Sequence, residues 1–463
     1  MTPLMDYRYL ASSALRSRAD GAELDLATSG GLGLDGQPQA HPYFFSGFVA
    51  QPGVVAGSLL TLARIARTRF YVPPNTLAAV LRAADPVVTS TTEGLRFESF
   101  SVCCGVYARL DVQRSALHAE HIAVGVTNVD INPPLRQALA GLRPSDPLYL
   151  TVGHDELRVA TPGSELVEEK VPLPGRWLKG FAETQLLAAG MRLRHELDTV
   201  GARLFIQSLP KNSATKTVMW ATRAMQSLRL ASRPTAGAVC VAGPERLRAL
   251  EPLLRFATGL RVYGPEVDAS SLPCTSAWVL ELPGARLTIL LSPEKARGFS
   301  GEGGVLVGLA GATVTEDAEV LAALLAFEPC IDPARLAANA GITTARVIDA
   351  LGALASSGQV GFDLADGAYF HRPLPLSLDA LEAMHPRLAD AQKLAASGAV
   401  TSTEQGVYDV RSGDITYRVR LTANGEERCT CPWFAKYRGT RGPCKHALAV
   451  RIVTRSDVPG VVH

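Results

Sequence analysis

Three regimes of apolar and polar spacing follow one another along the chain. Over residues 1–310, strand-like alternation mixes with helical spacing. Val55, Leu59, Leu62 and Ala66 recur on one face of a predicted helix, with Arg64 and Arg67 off that face. Pro73-Pro74 closes the element. Strand-like runs cover 95–100, 102–112 and 122–126, and a turn is expected at Asn132-Pro133-Pro134. Two later stretches share an order of helix, antiparallel strands and a basic residue before Gly-Phe. The first has a helix at 135–142, strands at 148–152, 157–160 and 166–171, and ends in Lys179-Gly180-Phe181. The second has a helix at 245–256, a hairpin over 278–291 turning at Pro283-Gly284, and ends in Arg297-Gly298-Phe299. An internal duplication giving two subdomains would leave such a trace; so would coincidence, with each Gly-Phe a turn glycine before a core aromatic.

From Thr313 the spacing turns helical. The pattern predicts a helix over 317–327, a second capped and started by Asp332-Pro333, and a third from Thr343 to 357. Strands at 359–362 and 368–371 then flank Asp366-Gly367, a preferred two-residue turn. Three helices and a wing resemble a winged-helix domain. Its third helix carries only Arg346 and Asp349 as charges, which favours a structural or protein-contact role over groove reading. Residues 376–400 read as a linker, helical or loosely ordered, interrupted by Pro386.

In the last regime, 406–410 and 415–421 alternate across Arg411-Ser412-Gly413-Asp414, with Tyr408, Val410, Tyr417, Val419 and Leu421 on one face. Pro443 suits the first turn of a helix through Ala447, Leu448, Val450 and Ile452. The fold class expected is therefore multidomain α+β. A mixed α/β region spans 1–310, a winged-helix-like module 313–375, a linker 376–400, and a ββα-type unit 401–463.

Composition narrows the function classes. With 47% hydrophobic and 19% charged residues, the chain can bury a sizeable core. A net charge of +2 makes any nucleic-acid surface a local patch. No window approaches the roughly 18 apolar residues of a membrane helix, and the N-terminus lacks a basic region followed by an apolar core, so a cytoplasmic protein without a membrane partner is expected. Cys103, Cys104, Cys240, Cys274 and Cys330 lack paired spacing and read as reduced core residues.

The remaining cysteines are different. Cys429-Thr430-Cys431 and Cys444-Lys445-His446 stand twelve residues apart and supply three thiolates and one imidazole. That is a full tetrahedral set for Zn²⁺, leaving no open position for water or substrate, so the metal is expected to be structural. The two ligand pairs, with a hairpin before and a helix after, resemble the SWIM zinc finger. The resemblance covers about the last sixty residues and implies DNA or protein binding. Bacterial proteins similar to this one, with a long α/β front half, tend to be encoded beside MoxR-type AAA ATPases and von Willebrand A-type domain proteins. The resemblance thus also implies an adaptor for such a machine.

Two basic stretches compete as nucleic-acid surfaces. Arg192, Arg194, Arg203, Lys211, Lys216, Arg223, Arg229 and Arg233 face only Glu196 and Asp198, with Phe205 and Trp220 interleaved. From Arg428 to Arg455 there are seven cations and no acid. There the expected contacts are Lys436, Arg438 and Arg441 in the loop between ligand pairs, Lys445, and Trp433 as a stacking ring, with Phe434 in the core. Catalytic signatures fail: His195-Glu196 meets Thr199 where a metalloprotease needs its second histidine, and Gly301-Glu302-Gly303-Gly304 lacks a phosphate-loop lysine. No G-x-S-x-G elbow exists. His118, Glu120 and His121 are polar neighbours read as surface. A non-enzymatic protein is expected.

Overall fold

Strand-forming alternation runs from Ala14 to Leu291 and builds three sheets. The structure is a computed structural model that describes residues 9, 11–34, 37–68, 86–129, 131–143, 146–153, 175–211, 217–294, 298–301, 303–308, 312–374, 386–422, 427–439 and 441–456. A five-stranded sheet has the order β1 (Ala14–Arg18), β2 (Gly21–Leu26), β11 (Leu148–Val152), β5 (Phe45–Val49), β9 (Leu117–Ile122). The largest sheet has ten strands. Its order is β12 (Arg192–Asp198), β16 (Gly259–Gly264), β17 (Ser276–Leu282), β18 (Ala285–Leu291), β8 (Val106–Gln113), β7 (Gly94–Phe100), β6 (Val87–Thr91), β10 (Gly125–Val129), β3 (Thr28–Gly33), β4 (Pro38–Gln39). A third sheet joins β14 (Ser227–Ala231), β13 (Val218–Ala224) and β15 (Val239–Ala242). Only the β2–β11 pair is parallel among the described pairs.

The helices of this region are α1 (Pro52–Arg67), α2 (Pro133–Gly141), α3 (Gly175–Ala189) and α4 (Thr199–Ser208). α1 forms as its period predicts: Pro52 opens it, and Val55, Leu59, Leu62 and Ala66 are all buried. With α2, α4 and a 3-10 stretch at Pro244–Leu253 it shares one core with strands of all three sheets. The helix expected at 245–256 is that 3-10 stretch, with Pro252 inside it. The expected strands at 157–160 and 166–171 lie outside the described residues. Gly180 is not a turn residue either. It sits inside α3, where a Cβ would come within 3.0 Å of the Phe100 ring, while Gly298 does take a positive φ of 52°. Phe181 and Phe299 both end in the core against Phe100, with centroids 4.9 and 6.1 Å away.

α3 covers the other face of the ten-stranded sheet, and a second core forms there around Phe100, Tyr107, Trp177 and Phe181. After α5 (Val305–Gly308) come three helices, α6 (Ala312–Leu324), α7 (Pro333–Ala340) and α8 (Thr344–Ser356), and a hairpin of β19 (Val360–Asp363) and β20 (Ala368–His371). Asp332 and Thr343 cap α7 and α8 as read from the sequence. The hairpin is pinned to the large sheet. Asp363, 1% exposed, meets Arg109 at 2.8 Å, Arg96 at 2.9 Å and Arg286 at 3.5 Å. Burial pushes its carboxyl up, but Arg109, Arg96 and Arg286 outweigh burial and hold it well below the usual carboxylate range. Beside it Arg372 donates to Glu98 at 2.7 Å, both side chains fully buried, and Tyr107 donates to the other Glu98 oxygen at 2.5 Å. Buried charges stand only when paired and hydrogen-bonded, so these contacts fix the hairpin's position.

Candidate metal centre

The C-terminal unit is larger than a hairpin and a helix. α9 (Pro386–Ala396) starts at the proline read from sequence as a break. A four-stranded antiparallel sheet follows in simple order: β21 (Val400–Glu404), β22 (Val407–Ser412), β23 (Ile415–Leu421), β24 (Glu427–Cys429). The short α10 (Pro432–Tyr437) and the closing α11 (Lys445–Ser456) complete it, and α9 packs along α11.

Local sequence places each ligand. Cys429 ends β24 with its side chain on the core face, beside Val419 and Val410. Cys431 is the N-cap of α10, whose Pro432 opens the helix, and Cys444 and His446 stand at the start of α11. The four side chains are buried, and their ligand atoms lie within 4.8 Å of one another. Cys429 Sγ is 3.8 Å from His446 Nδ1. A tetrahedral zinc, with bonds of about 2.3 Å to sulfur and 2.0–2.1 Å to nitrogen, separates neighbouring ligands by roughly 3.6–3.8 Å, so the arrangement fits. The N–H groups of Phe434 and Ala447 donate to Cys431 and Cys444 Sγ, each at 3.4 Å. These are free donors of a helix's first turn, which favour thiolate. Cys444 is lowered to about 4, first by its hydrogen bond with Cys429 and against the effect of burial, while that bond and then burial raise Cys429. The Tyr417 ring stacks on His446 at 4.3 Å. Among the described residues no other group of three or more such side chains converges in this way. His118, Glu120 and His121 diverge: Glu120 accepts from Tyr149, and His121 stacks on Tyr43.

The family model of the SWIM zinc finger matches residues 417–451, spanning β23 to α11 and all four ligands. The chain carries a SWIM zinc finger. Its cluster of three sulfurs and one imidazole nitrogen indicates a bound metal, with zinc the ion that suits the donors. No curated protein matches the chain. Among solved structures, Proliferating Cellular Nuclear Antigen from Entamoeba histolytica is similar over 55% of this chain and 100% of that chain, at 10% identity and a TM-score of 0.31. A PCNA2-PCNA3 complex from Sulfolobus tokodaii is similar over 54% of this chain and 99% of that chain, at 9% identity and a TM-score of 0.32. Likeness that slight does not bear on what this chain does. No described helix is long and apolar enough to cross a membrane.

Of the contacts expected in the SWIM finger, Arg441 and Trp433 are engaged within the molecule, while Lys436 and Arg438 face solvent. Arg441 makes a two-pronged pair with Glu294, which follows β18, and so is engaged inside the molecule. Trp433 is half-buried, with Arg387 over its ring at 4.5 Å and Tyr437 against it at 4.4 Å, so it is no open stacking platform. Phe434 packs in the finger's core as expected. Lys445 lies 3.8 Å from Asp390. Lys436 and Arg438 are exposed, the latter at a positive φ of 46° closing α10. The loop is a docking element. Arg387 donates to the carbonyls of Arg441 and Pro443, and Gly442 lies so near Gly303 that a Cβ would come 2.1 Å from its oxygen.

The 192–233 stretch is spent in part on structure, while Lys211, Arg229 and Arg233 are exposed. Arg194, Arg203 and Arg223 donate to the carbonyls of Gly264, Leu254 and Glu196, and Phe205 and Trp220 are buried. Lys216 lies outside the described residues. What the sequence reading left unassigned is the finger's outer sheet face, where Arg411, Arg420 and Arg428 are exposed. The signal was available: alternation that turns Tyr417, Val419 and Cys429 inward must turn Arg418, Arg420 and Arg428 outward.

Proposed function

We propose that this chain is a zinc-stabilised, non-enzymatic nucleic-acid-binding protein whose SWIM finger supplies the contact. One observation carries the reading: Arg411, Arg420, Arg428, Lys436 and Arg438 face solvent, and none forms an ion pair among the described residues. Cations left unpaired on a metal-held scaffold suit phosphate at low ordering cost. Titrating the zinc-loaded protein with DNA and RNA across a salt series tests it. Affinity should fall steeply with salt, and a flat or absent response would remove the proposal.

A second reading, an adaptor serving a MoxR-type AAA ATPase with a von Willebrand A-type partner, is favoured by the helices α6 to α8. We read them, with the β19–β20 hairpin that packs on the large sheet, as a winged-helix-like module. Its Arg346 is paired to Asp317 at 2.6 Å, while Val320, Leu324 and Ile348 are exposed. Exposed apolar side chains suit a protein partner. Co-purification of an ATPase in high salt would favour this reading over the first.

A further inference from the structure

The two faces of the β21–β24 sheet are chemically opposite. The inner face carries Val410, Val419 and Cys429, with Tyr408, Tyr417 and Leu421 packed beside them. On the outer face Arg420 stands directly opposite Arg428, and Arg418 opposite Asp409. Arg418 and Asp409 form a two-pronged pair at 2.9 and 3.3 Å. Arg411 lies two residues further along β22. Neither Arg420 nor Arg428 has an acidic partner among the described residues, and like charges directly opposite on neighbouring strands destabilise a sheet. The fold gains nothing from that juxtaposition. Its register is nonetheless fixed by the metal, because Cys429 turned into the site forces Arg428 outward.

We infer that this outer face, centred on Arg420 and Arg428, is the contact surface, and that it takes the sugar–phosphate backbone of a nucleic-acid duplex. The inference rests on the nucleic-acid reading above and names its site and ligand. Strands about 4.8 Å apart and side chains repeating every roughly 6.6 Å along a strand gather the guanidinium groups densely. A duplex presents one charge per about 1.7 Å of axis, which suits such density. Unpaired bases would need aromatic platforms, and the face offers none: Tyr408 and Tyr417 point to the core, and Trp433 is covered.

The test uses full-length, zinc-loaded protein titrated with duplex DNA, duplex RNA and single-stranded DNA over a salt series. Either duplex should bind more tightly than the single strand, the tighter one naming the source of the backbone. Arg420→Ala with Arg428→Ala should weaken duplex binding by about tenfold or more and lower the salt slope by about two, with zinc content unchanged. Arg420→Lys with Arg428→Lys should restore most of the affinity, since phosphate accepts a point charge. Wild-type affinity and slope in the alanine variant, with binding lost instead on Lys436→Ala and Arg438→Ala, would overturn the sheet face and leave the nucleic-acid reading standing. Tighter binding of the single strand that persists in high salt would overturn the duplex assignment. No binding to any of the three would overturn the nucleic-acid reading itself.

Discussion

The loop between the ligand pairs and the outer sheet face belong to one finger and are both rich in arginine, yet Arg441 of the loop and the facing Arg420 and Arg428 of the sheet have opposite fates. In the loop, Arg441 is taken by Glu294 and the backbone at Gly442 presses on Gly303. On the sheet, Arg420 and Arg428 stand opposite one another, both exposed and neither in an ion pair among the described residues. Composition alone treats these regions alike. Partners brought in from remote parts of the chain decide which cations hold the molecule together and which remain for a ligand.

Removing the metal abolishes the comparison and has the largest expected effect. Structural zinc contributes on the order of 10–16 kcal/mol of apparent binding energy to small fingers, so Cys431→Ala should release the ion and unfold β21 to α11. Metal analysis with limited proteolysis checks this. A full equivalent of zinc in that variant would break the assignment of the centre.

Next comes a fully buried charge pair outside the finger. Glu98→Ala leaves Arg372 buried without its carboxylate, and breaking such a pair costs about 3–5 kcal/mol. Chemical denaturation should show the loss, and hydrogen exchange should place it at the β19–β20 hairpin. Acid acts on the neighbouring Asp363. Its folded pKa is depressed, so its stabilisation is present above the unfolded value of about 3.9 and is lost as pH falls from there through the folded value. Hairpin protection should drop over that window in the wild type, and Asp363→Asn should flatten the pH dependence. Equal pH dependence in the two proteins would show that this carboxylate does not pin the hairpin.

How much of this could be read in advance follows from sequence distance. The metal ligands lie in one short run, with the start of the closing helix signalled by Pro443, so spacing alone exposed the site, while α10 at Pro432 reads as loop from sequence. Helix α1 was legible for the same reason, since its apolar period is local. Arg441 and Glu294 are 147 positions apart, and Arg372 and Glu98 are 274 apart. No pattern in the chain marks such pairs. Strands β21 and β24 of the finger and the packing of α9 on α11 were likewise hidden, because 400–404 is mostly exposed and lacks alternation, 427–429 is only three residues long, and Pro386 reads as a break whether it ends a helix or begins one.

The docked side of the comparison has a middle-sized test. Glu294→Ala should leave Arg441 partly buried and unpaired, at a cost of about 1–3 kcal/mol, and should free the loop without losing zinc. If Arg441 is held back only by docking, this variant gains a phosphate contact and its salt slope for duplex binding steepens by about one. An unchanged slope with lowered stability would show that the loop is scaffold alone.

The smallest effect concerns stability on the free side, and it has the opposite sign. Arg428→Ala removes one of two like charges facing each other across β23 and β24 and takes away no described hydrogen bond or ion pair of that side chain. A surface change of this kind moves stability by no more than about 0.5 kcal/mol, and relief of repulsion sets its direction toward a small gain. The gain should shrink as salt screens the pair, over a Debye length of about 10 Å at 0.1 M. Melting the metal-loaded wild type and variant side by side at low and high salt measures both. If Arg428 instead held the sheet together, the variant would melt lower at every salt concentration, and the outer face would join the loop as structure.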